Sequence, residues 1–300
     1  MQRVRDIVER SIVKMTGVDD VPEDLVNEIA SELSQYGPSP SDDLVFKLIE
    51  SYRFRIMGRL LNNIRRHMPG KGSVERALPM LVRESLEELG YGAYLMPAIH
   101  GERVDLALNL GTHWVPAIVI GHSVKRRDMY RVSRLRSMGM NPLIFSMDED
   151  VEGSVRFKVD FMDGPPYYRL TIAPETLRRG LGESALVSGR FVKWFRVNEL
   201  AYSLWRGLRL RGYLAIVKRG ISEIEAYGFG KYLVRIQSRP TMWEPSYRLY
   251  DAVIIVSRGS GVRVRGNVEV IGLSTLERLI GSDGLSVGRL KALASRVREP

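Results

Sequence analysis

The side chains best suited to chemistry in this sequence are carboxylates. The chain has no cysteine and four histidines, which excludes a thiol nucleophile, a thiolate zinc site and an iron–sulfur cluster. Glu223 and Glu225 are two residues apart in a strand-like segment, so both lie on one face of the strand. Carboxylate oxygens are hard ligands that suit Mg²⁺. Any metal bound by this chain is therefore expected to be a hard, oxygen-bound cation.

These acids lie in a stretch whose element order is repeated. We predict a helix, three strands, a helix and a strand within 73–147, and a similar order within 195–273. Order and spacing predict an internal duplication. In the first stretch the helix begins at Ser73 and ends at Gly90. The other predicted segments there are strands at 93–99, 104–110, 114–120 and 141–147, and a basic helix at 126–138.

The second stretch also begins with a helix that ends at a glycine. Its helix has an apolar face from Val197 to Leu208 and ends at Gly212. The predicted segments that follow are strands at 213–218, 221–227, 231–237, 251–257 and 268–273, a short helix at 244–250 and a last helix at 287–297. The fold class expected from these patterns is mixed α/β.

Segments outside the two repeats complete the predicted organisation. Residues 1–70 have helical periodicity and form a helical module. A first α/β domain spans 71–150, a β-hairpin and connector span 151–190, and a second, basic α/β domain spans 191–300. Within the module, residues 1–50 hold eleven acids and five bases, whereas 51–72 hold six bases and no acid. This polarity indicates either contact between the module's own helices or a site for a protein partner or second copy.

The layout of each repeat resembles the restriction-endonuclease-like nucleases of the PD-(D/E)xK superfamily, in the manner of archaeal Holliday-junction resolvases and Mrr-type enzymes. The resemblance rests on Glu199 in "VNELAYSLWRGLRLRGY", Glu223 and Glu225 in "SEIEAYG", and Gln237-Ser-Arg239 at a strand end. It implies two αβββαβ domains that bind DNA. It also implies that Glu199, Glu223 and Glu225 hold Mg²⁺, which supplies a nucleophile and neutralises the scissile phosphate.

Both repeats depart from the superfamily pattern. Gln237 and Arg239 stand where Glu-x-Lys is usual, and a permanent guanidinium cannot act as a base, although it can bind phosphate. In the first repeat Glu75 is the helix glutamate, and Asp105 and Lys125 match the strand acid and the lysine, but Ser123 replaces the second acid. The departures favour nucleic-acid binding, with weak or unusual nuclease activity, over efficient cleavage.

The charge distribution supports a nucleic-acid partner. The net charge is +10, yet residues 1–184 sum to −1 and residues 185–300, with twenty bases and nine acids, sum to +11. A one-sided excess of this kind suits a phosphate-binding surface, and a solubilising basic surface is the alternative. The basic residues flanking the two candidate sites, which we predict to bind nucleic acid, are Arg206, Arg209, Arg211, Lys125, Arg126, Arg127 and Arg134.

Aromatic residues among the arginines allow a second mode of contact. Such rings can stack on bases, whereas aromatics at helical spacing, Trp205 above all, are typical of a core. The residues concerned are Trp194, Trp205, Trp243, Tyr247 and Tyr250.

Three functions stay open from the sequence. The first is a DNA-binding protein with diverged nuclease-like domains, RNA being the alternative nucleic acid. The second is an active Mg²⁺-dependent endonuclease, and the third is a non-enzymatic assembly subunit. No apolar run approaches bilayer length and the N-terminus lacks a signal-peptide pattern, so a cytoplasmic protein is expected. The 36 arginines are consistent with a thermophile.

Overall fold

The structure, a computed structural model, describes most of the chain. The described residues are 2–16, 21–37, 40–67, 73–121, 124–147, 151–162, 164–218, 220–228, 230–237, 244–257 and 263–275. The predicted last helix at 287–297 lies outside them.

The described helices and strands alternate along most of the chain. The α-helices are α1 (Gln2–Thr16), α2 (Glu23–Ser34), α3 (Asp42–His67), α4 (Ser73–Glu88), α5 (Arg126–Ser137), α6 (Pro174–Glu183) and α7 (Arg196–Leu210). The strands are β1 (Gly92–Leu95), β2 (Ala98–Ile99), β3 (Glu102–Arg103), β4 (Leu106–Asn109), β5 (His113–Ile120), β6 (Leu143–Ser146), β7 (Val155–Phe161), β8 (Tyr168–Ile172), β9 (Val187–Ser188), β10 (Val192–Lys193), β11 (Leu214–Val217), β12 (Glu223–Tyr227), β13 (Lys231–Ile236), β14 (Ala252–Ser257), β15 (Arg263–Arg265) and β16 (Val268–Gly272).

The chain divides into two compact units that are each discontinuous in sequence. The terminal unit, named for its place in the sequence, comprises Met1–His67, Phe161–Tyr167 and Ser203–Pro300. The central unit comprises Met68–Asp160 and Tyr168–Tyr202. This division differs from the four consecutive segments expected from the sequence, because the N-terminal helices and the C-terminal sheet belong to one unit.

Helices α1, α2 and α3 pack against one another within the terminal unit. Their buried residues recur at helical spacing, as in Leu25, Ile29 and Leu33 of α2. The acidic and basic helices contact each other directly, since Arg55 of α3 donates two hydrogen bonds of 2.9 Å to Glu28 of α2. These hydrogen bonds lower the pKa of Glu28. The predicted contact between the module's own helices is therefore confirmed.

The central unit is built on a sheet with the order β1-β4-β5-β6-β7-β8, with β9 paired to β5. Strands β1, β4 and β5 form an antiparallel meander, whereas β6 is parallel to β5. Strand β5 is buried along nearly its whole length, as its continuous apolar run predicts for a strand covered on both faces. Helix α5 packs through Val132 and Leu135 in a cluster with Trp114 and Ile118 of β5.

The sheet of the terminal unit has the order β11-β12-β13-β14-β16-β15. Strands β11, β12 and β13 again form an antiparallel meander, and β14 is parallel to β13. A short 3-10 helix, Pro245–Leu249, stands between β13 and β14 where α5 stands between β5 and β6. Each of the two sheets therefore has a three-stranded antiparallel meander and a parallel fourth strand, with a helix between the third and fourth strands in the sequence.

This repeated topology confirms the mixed α/β class and most of the predicted elements. The hairpin is confirmed as well, since β7 and β8 are neighbours in the central sheet. Among the described strands, β3, β9, β10 and β15 were not predicted, and the segment predicted as one strand at 93–99 forms the two strands β1 and β2. None of the described helices is long and apolar enough to cross a membrane.

Candidate nucleic-acid interface and the paired carboxylates

The strand acid of the first repeat is held by an arginine. Asp105 directly precedes β4, and Arg131 of α5 donates hydrogen bonds of 3.2 and 2.8 Å to its two carboxylate oxygens. The backbone amide of Val119 donates a third, of 2.9 Å, to Asp105 Oδ2. Because both oxygens are engaged by a forked guanidinium, the carboxylate is fixed in place.

The corresponding acid of the second repeat is held in the same manner by a different element. Glu223 on β12 faces Arg235 on β13, whose Nε lies 2.9 Å from Glu223 Oε2. The same guanidinium lies 2.7 Å from a carboxylate oxygen of Glu244 and donates a 3.0 Å hydrogen bond to the Tyr247 hydroxyl. Burial works against the charge of Arg235, but the hydrogen bonds to Glu244 and Tyr247 and the charge of Glu223 raise its pKa.

The two acid–arginine pairs occupy equivalent positions. In the central sheet, Leu106 pairs with the last residue of β1. In the terminal sheet, Ile224 pairs with the last residue of β11. Asp105 and Glu223 directly precede Leu106 and Ile224, respectively. The acid therefore keeps its register in both repeats, while its cation comes from a helix in one and from the neighbouring strand in the other.

Glu225, the second acid of β12, is almost completely buried. It lies 3.0 Å from Lys218 Nζ and accepts a 2.9 Å hydrogen bond from the Tyr250 hydroxyl. Burial, together with the charge of Glu225 and the hydrogen bond to it, raises the pKa of Tyr250. The Tyr250 hydroxyl therefore stays protonated and remains a hydrogen-bond donor to the Glu225 carboxylate.

Glu199 lies in the part of α7 that belongs to the central unit. Its carboxylate is 2.6 Å from an Arg83 guanidinium nitrogen and accepts a 3.1 Å hydrogen bond from the Leu95 amide. These contacts join α7 to α4 and to the end of β1. The three predicted ligands Glu199, Glu223 and Glu225 are thus each engaged by a cationic side chain.

The register changes the correspondence between the two predicted strand-end motifs. Ala117 and Val234 are equivalent positions, because they pair with Leu106 and Ile224. Ile120 and Gln237 each lie three residues further along and therefore correspond to each other. Ser123-Val-Lys125 was matched to Gln237-Ser-Arg239 in the sequence, but it lies three residues further on. Lys125 is exposed and immediately precedes α5, whereas Ser123 and Arg239 lie outside the described residues.

The donor set does not fit the Mg²⁺ that the family resemblance implies. A metal at Glu223 or Glu225 would have to displace Arg235, or Lys218 and the Tyr250 hydroxyl, from oxygens they already occupy. Within the described ranges no cluster of three or more acids and histidines has metal-site geometry. We therefore derive no catalytic step through a metal at these residues.

Helix α5 presents exposed basic residues that suit phosphate. Arginines 126, 127, 134 and 136 are exposed, and the only acid of the helix, Asp128, is buried. Arg134 pairs with Glu102 at 2.5 Å, but Arg126 and Arg127 have no ion-pair partner among the described residues. Tyr130 lies between them and Arg134 on the same face, and its side chain is 63% exposed. We call this surface the α5 face.

The basic residues predicted on α7 are less accessible. Arg209 is fully buried, with its guanidinium 4.3 Å from the centre of the Trp205 ring. Arg206 and Arg211 are half-buried, and Arg211 donates a 3.1 Å hydrogen bond to the Gly207 carbonyl. A guanidinium without exposed surface cannot contact a phosphate, so we leave Arg209 out of the interface proposed below.

Sequence reasoning found the acids but missed the cations that hold them. Arg235 and Lys218 were counted only as part of the basic surplus, and Arg131 only as one charge of the basic helix predicted at 126–138. The strand alternation carried a signal for Arg235, because it places this arginine on the same face of β13 as the buried Leu233. No sequence signal linked Arg131 to Asp105, since a helix and a strand 26 residues apart supply the two groups.

Comparison with known proteins identifies no relative of this chain. No family model, no curated protein and no solved structure matches it.

Proposed function

We propose that this protein binds nucleic acid, with DNA as the favoured partner, through the α5 face of the central unit. The scaffold is a pair of diverged nuclease-like α/β repeats in the αβββαβ arrangement. The observation that carries the proposal is a helix that presents four arginines and an exposed tyrosine to solvent, with its only acid buried.

The electrostatics of this face support a phosphate-binding role. Arg126 and Arg127 lie in the first turn of α5 and Lys125 directly precedes them. Three consecutive cations at a helix N-terminus gain nothing from the helix dipole, which favours negative charge there. An anion bound at this end interacts favourably with both the cationic side chains and the helix dipole. Each phosphate that the cations neutralise also releases counterions from the nucleic acid.

The carboxylates favour binding over cleavage. Four acids of the candidate nuclease sites, Glu199, Asp105, Glu225 and Glu223, are each paired with a cation, and such pairs hold strands and helices together. We infer that the acids to which the resemblance assigns a metal instead form ion pairs that stabilise the fold. The proposal therefore gives the α5 face the contact with nucleic acid and gives the former site positions a structural role.

Charge reversal on α5 tests the proposal. The double variant Arg126→Glu/Arg127→Glu should bind a DNA duplex roughly tenfold more weakly and lower the slope of log affinity against log salt by about two. Fluorescence anisotropy at several salt concentrations measures both quantities.

A matched control exists in the same unit. Arg178 and Arg179 are consecutive exposed arginines on α6, so Arg178→Glu/Arg179→Glu makes the same change in net charge on another helix. It should leave affinity and slope near those of the unaltered protein. Equal losses in both double variants would show a non-specific charge effect, and absence of DNA binding by the unaltered protein would refute the proposal.

A second prediction concerns cleavage. Because Glu223 is engaged by Arg235 and Asp105 by Arg131, we expect labelled duplex and branched DNA to stay intact with the protein and Mg²⁺ or Mn²⁺. Gel electrophoresis over a time course measures this. Metal-dependent cleavage that disappears in Glu223→Ala would restore the endonuclease hypothesis.

A further inference from the structure

Three aromatic rings of the central unit stack from its core to its surface. The ring centres of Trp114 and Tyr94 are 4.7 Å apart with an angle of 11° between the planes. Those of Tyr94 and Trp194 are 5.4 Å apart at 20°. Trp114 is buried, Tyr94 is half-buried, and Trp194 is 47% exposed. We call these three residues the aromatic stack.

The exposed ring is held in place on one face. Trp194 follows β10, which pairs with β2, and the inner face of its ring lies against Tyr94. The chain just before it also packs on the stack, since Val187 pairs with Trp114 and a side chain at Gly189 would come within 3.0 Å of the Trp114 indole nitrogen. Because one face of Trp194 is covered by Tyr94, its exposed area lies on the opposite face and the edges.

Exposed apolar side chains are clustered in the sequence close to Trp194. Leu186 is 57% and Phe191 is 39% exposed within the same nine-residue segment. Isolated apolar side chains on a surface are ordinary, but a local group of large ones marks a binding site. A flat indole presented parallel to two supporting rings is a surface for another flat ring.

Cations lie near two rings that neighbour Trp194 in the sequence, Phe195 and Phe191. The charged ends of Arg103 and Lys193 lie 5.9 and 6.0 Å from the centre of the Phe195 ring, and that of Arg190 lies 4.6 Å from the Phe191 ring. Residues 184–198 contain three basic residues and no acid. The ligand that fits is therefore both flat and negatively charged, as a nucleotide is.

The stack is connected to the α5 face through the β3 strand. Arg134 pairs with Glu102, and Arg131 donates a 3.5 Å hydrogen bond to the carbonyl of Arg103. Trp114 and Tyr94 also pack in the same cluster as Val132 of α5. Arg103 thus contacts α5 through its carbonyl and lies near Phe195, the residue that follows Trp194.

We propose that Trp194 stacks on an unpaired base, so that the protein prefers single-stranded nucleic acid or a duplex with an unpaired base. This inference rests on the proposed function, because the α5 face supplies the phosphate contacts. In a continuous duplex both faces of a base are already covered by its neighbours, so only an unpaired base has a free face for the indole.

The test compares three probes of equal length: a twelve-nucleotide oligothymidylate, the same backbone with abasic sites, and a twelve-base-pair duplex. Trp194→Ala should weaken binding of oligothymidylate by about 5- to 150-fold, the effect of losing one aromatic–base stack. It should leave the abasic and duplex probes unchanged. Trp194→Phe should restore part of the affinity for oligothymidylate, and Tyr36→Ala, which removes another well-exposed aromatic ring, should have no effect.

The outcomes separate this inference from the proposed function. Equal binding of the oligothymidylate and abasic probes by the unaltered protein would overturn the role of Trp194, even if Arg126→Glu/Arg127→Glu weakened both. Failure of all three probes to bind would overturn both proposals. If Trp194→Ala does not fold, the comparison of probes with the unaltered protein and with Trp194→Phe decides the question.

Discussion

Arg235→Ala is expected to destabilise the protein by about 3–5 kcal/mol, the usual cost of removing one partner from a buried ion pair. The guanidinium is 7% exposed and stands between Glu223 and Glu244, which are 14% and 34% exposed. Its loss leaves two carboxylates and the Tyr247 hydroxyl without their shared donor. Urea unfolding followed by circular dichroism measures the change in the free energy of unfolding.

Two further variants make this expectation specific. Arg248 is an exposed arginine on the same 3-10 helix as Tyr247, and Arg248→Ala should change stability by no more than about 0.5 kcal/mol. Arg235→Lys keeps the charge but loses the fork that reaches three partners, so its stability should be intermediate. A change below about 1 kcal/mol in Arg235→Ala would contradict the structural role given to the pair.

Trp205→Ala is expected to destabilise the protein by about 3–5 kcal/mol, as large-to-small changes at buried aromatic positions do. Trp205 has no exposed surface and lies under the guanidinium of Arg209, so truncation opens a cavity and removes the cation–π contact. Chemical denaturation gives the size of the loss, and Trp205→Phe should recover part of it.

The contrast with Trp194 is the control for this prediction. Trp194→Ala removes an exposed ring and should cost about 1 kcal/mol or less, while changing the affinity for unpaired bases. Trp205→Ala should change stability and leave the relative affinities for the three probes as they are. A Trp205→Ala variant as stable as the unaltered protein would show that the ring is not part of the core.

Periodicity was sufficient to predict most of the secondary structure. The alternation in β7 and the apolar run in β5 correspond to strands, and the Ser73 and Gly90 signals bound α4 to within two residues. Spacing also separated the two tryptophans, since Trp205 lies at a helical core position and Trp194 does not. Local patterns of this kind depend on neighbours in sequence, which the sequence contains.

The distribution of charge over the surface could not be predicted in the same way. Counting assigned the basic surplus to residues 185–300, yet in the described part of that segment Arg209 and Arg235 are buried and Lys218 pairs with Glu225. Four exposed arginines lie instead on α5, in a segment with almost no net charge. A charge count does not distinguish a guanidinium that faces water from one that holds two strands together.

The candidate site shows the same limit at the level of single pairs. Asp105 and Glu223 were predicted as functional acids because their residue type and strand position fit a known pattern. Whether such an acid binds a metal or an arginine depends on Arg131 and Arg235, which tertiary structure brings to it. Residue spacing fixes the position of a carboxylate on a strand but does not specify the group opposite.

The interrupted make-up of the two units has a consequence for synthesis on the ribosome. The central unit ends at Tyr202, whereas the terminal unit needs Ser203–Pro300 to complete its sheet. Domains generally fold as units while the chain emerges from its N-terminus. The first three helices therefore emerge earliest but wait for the last third of the chain before their unit is complete. Nascent chains whose residues up to 202 have left the ribosome, but whose later residues have not, should protect the central unit from protease and leave α1–α3 more readily cut.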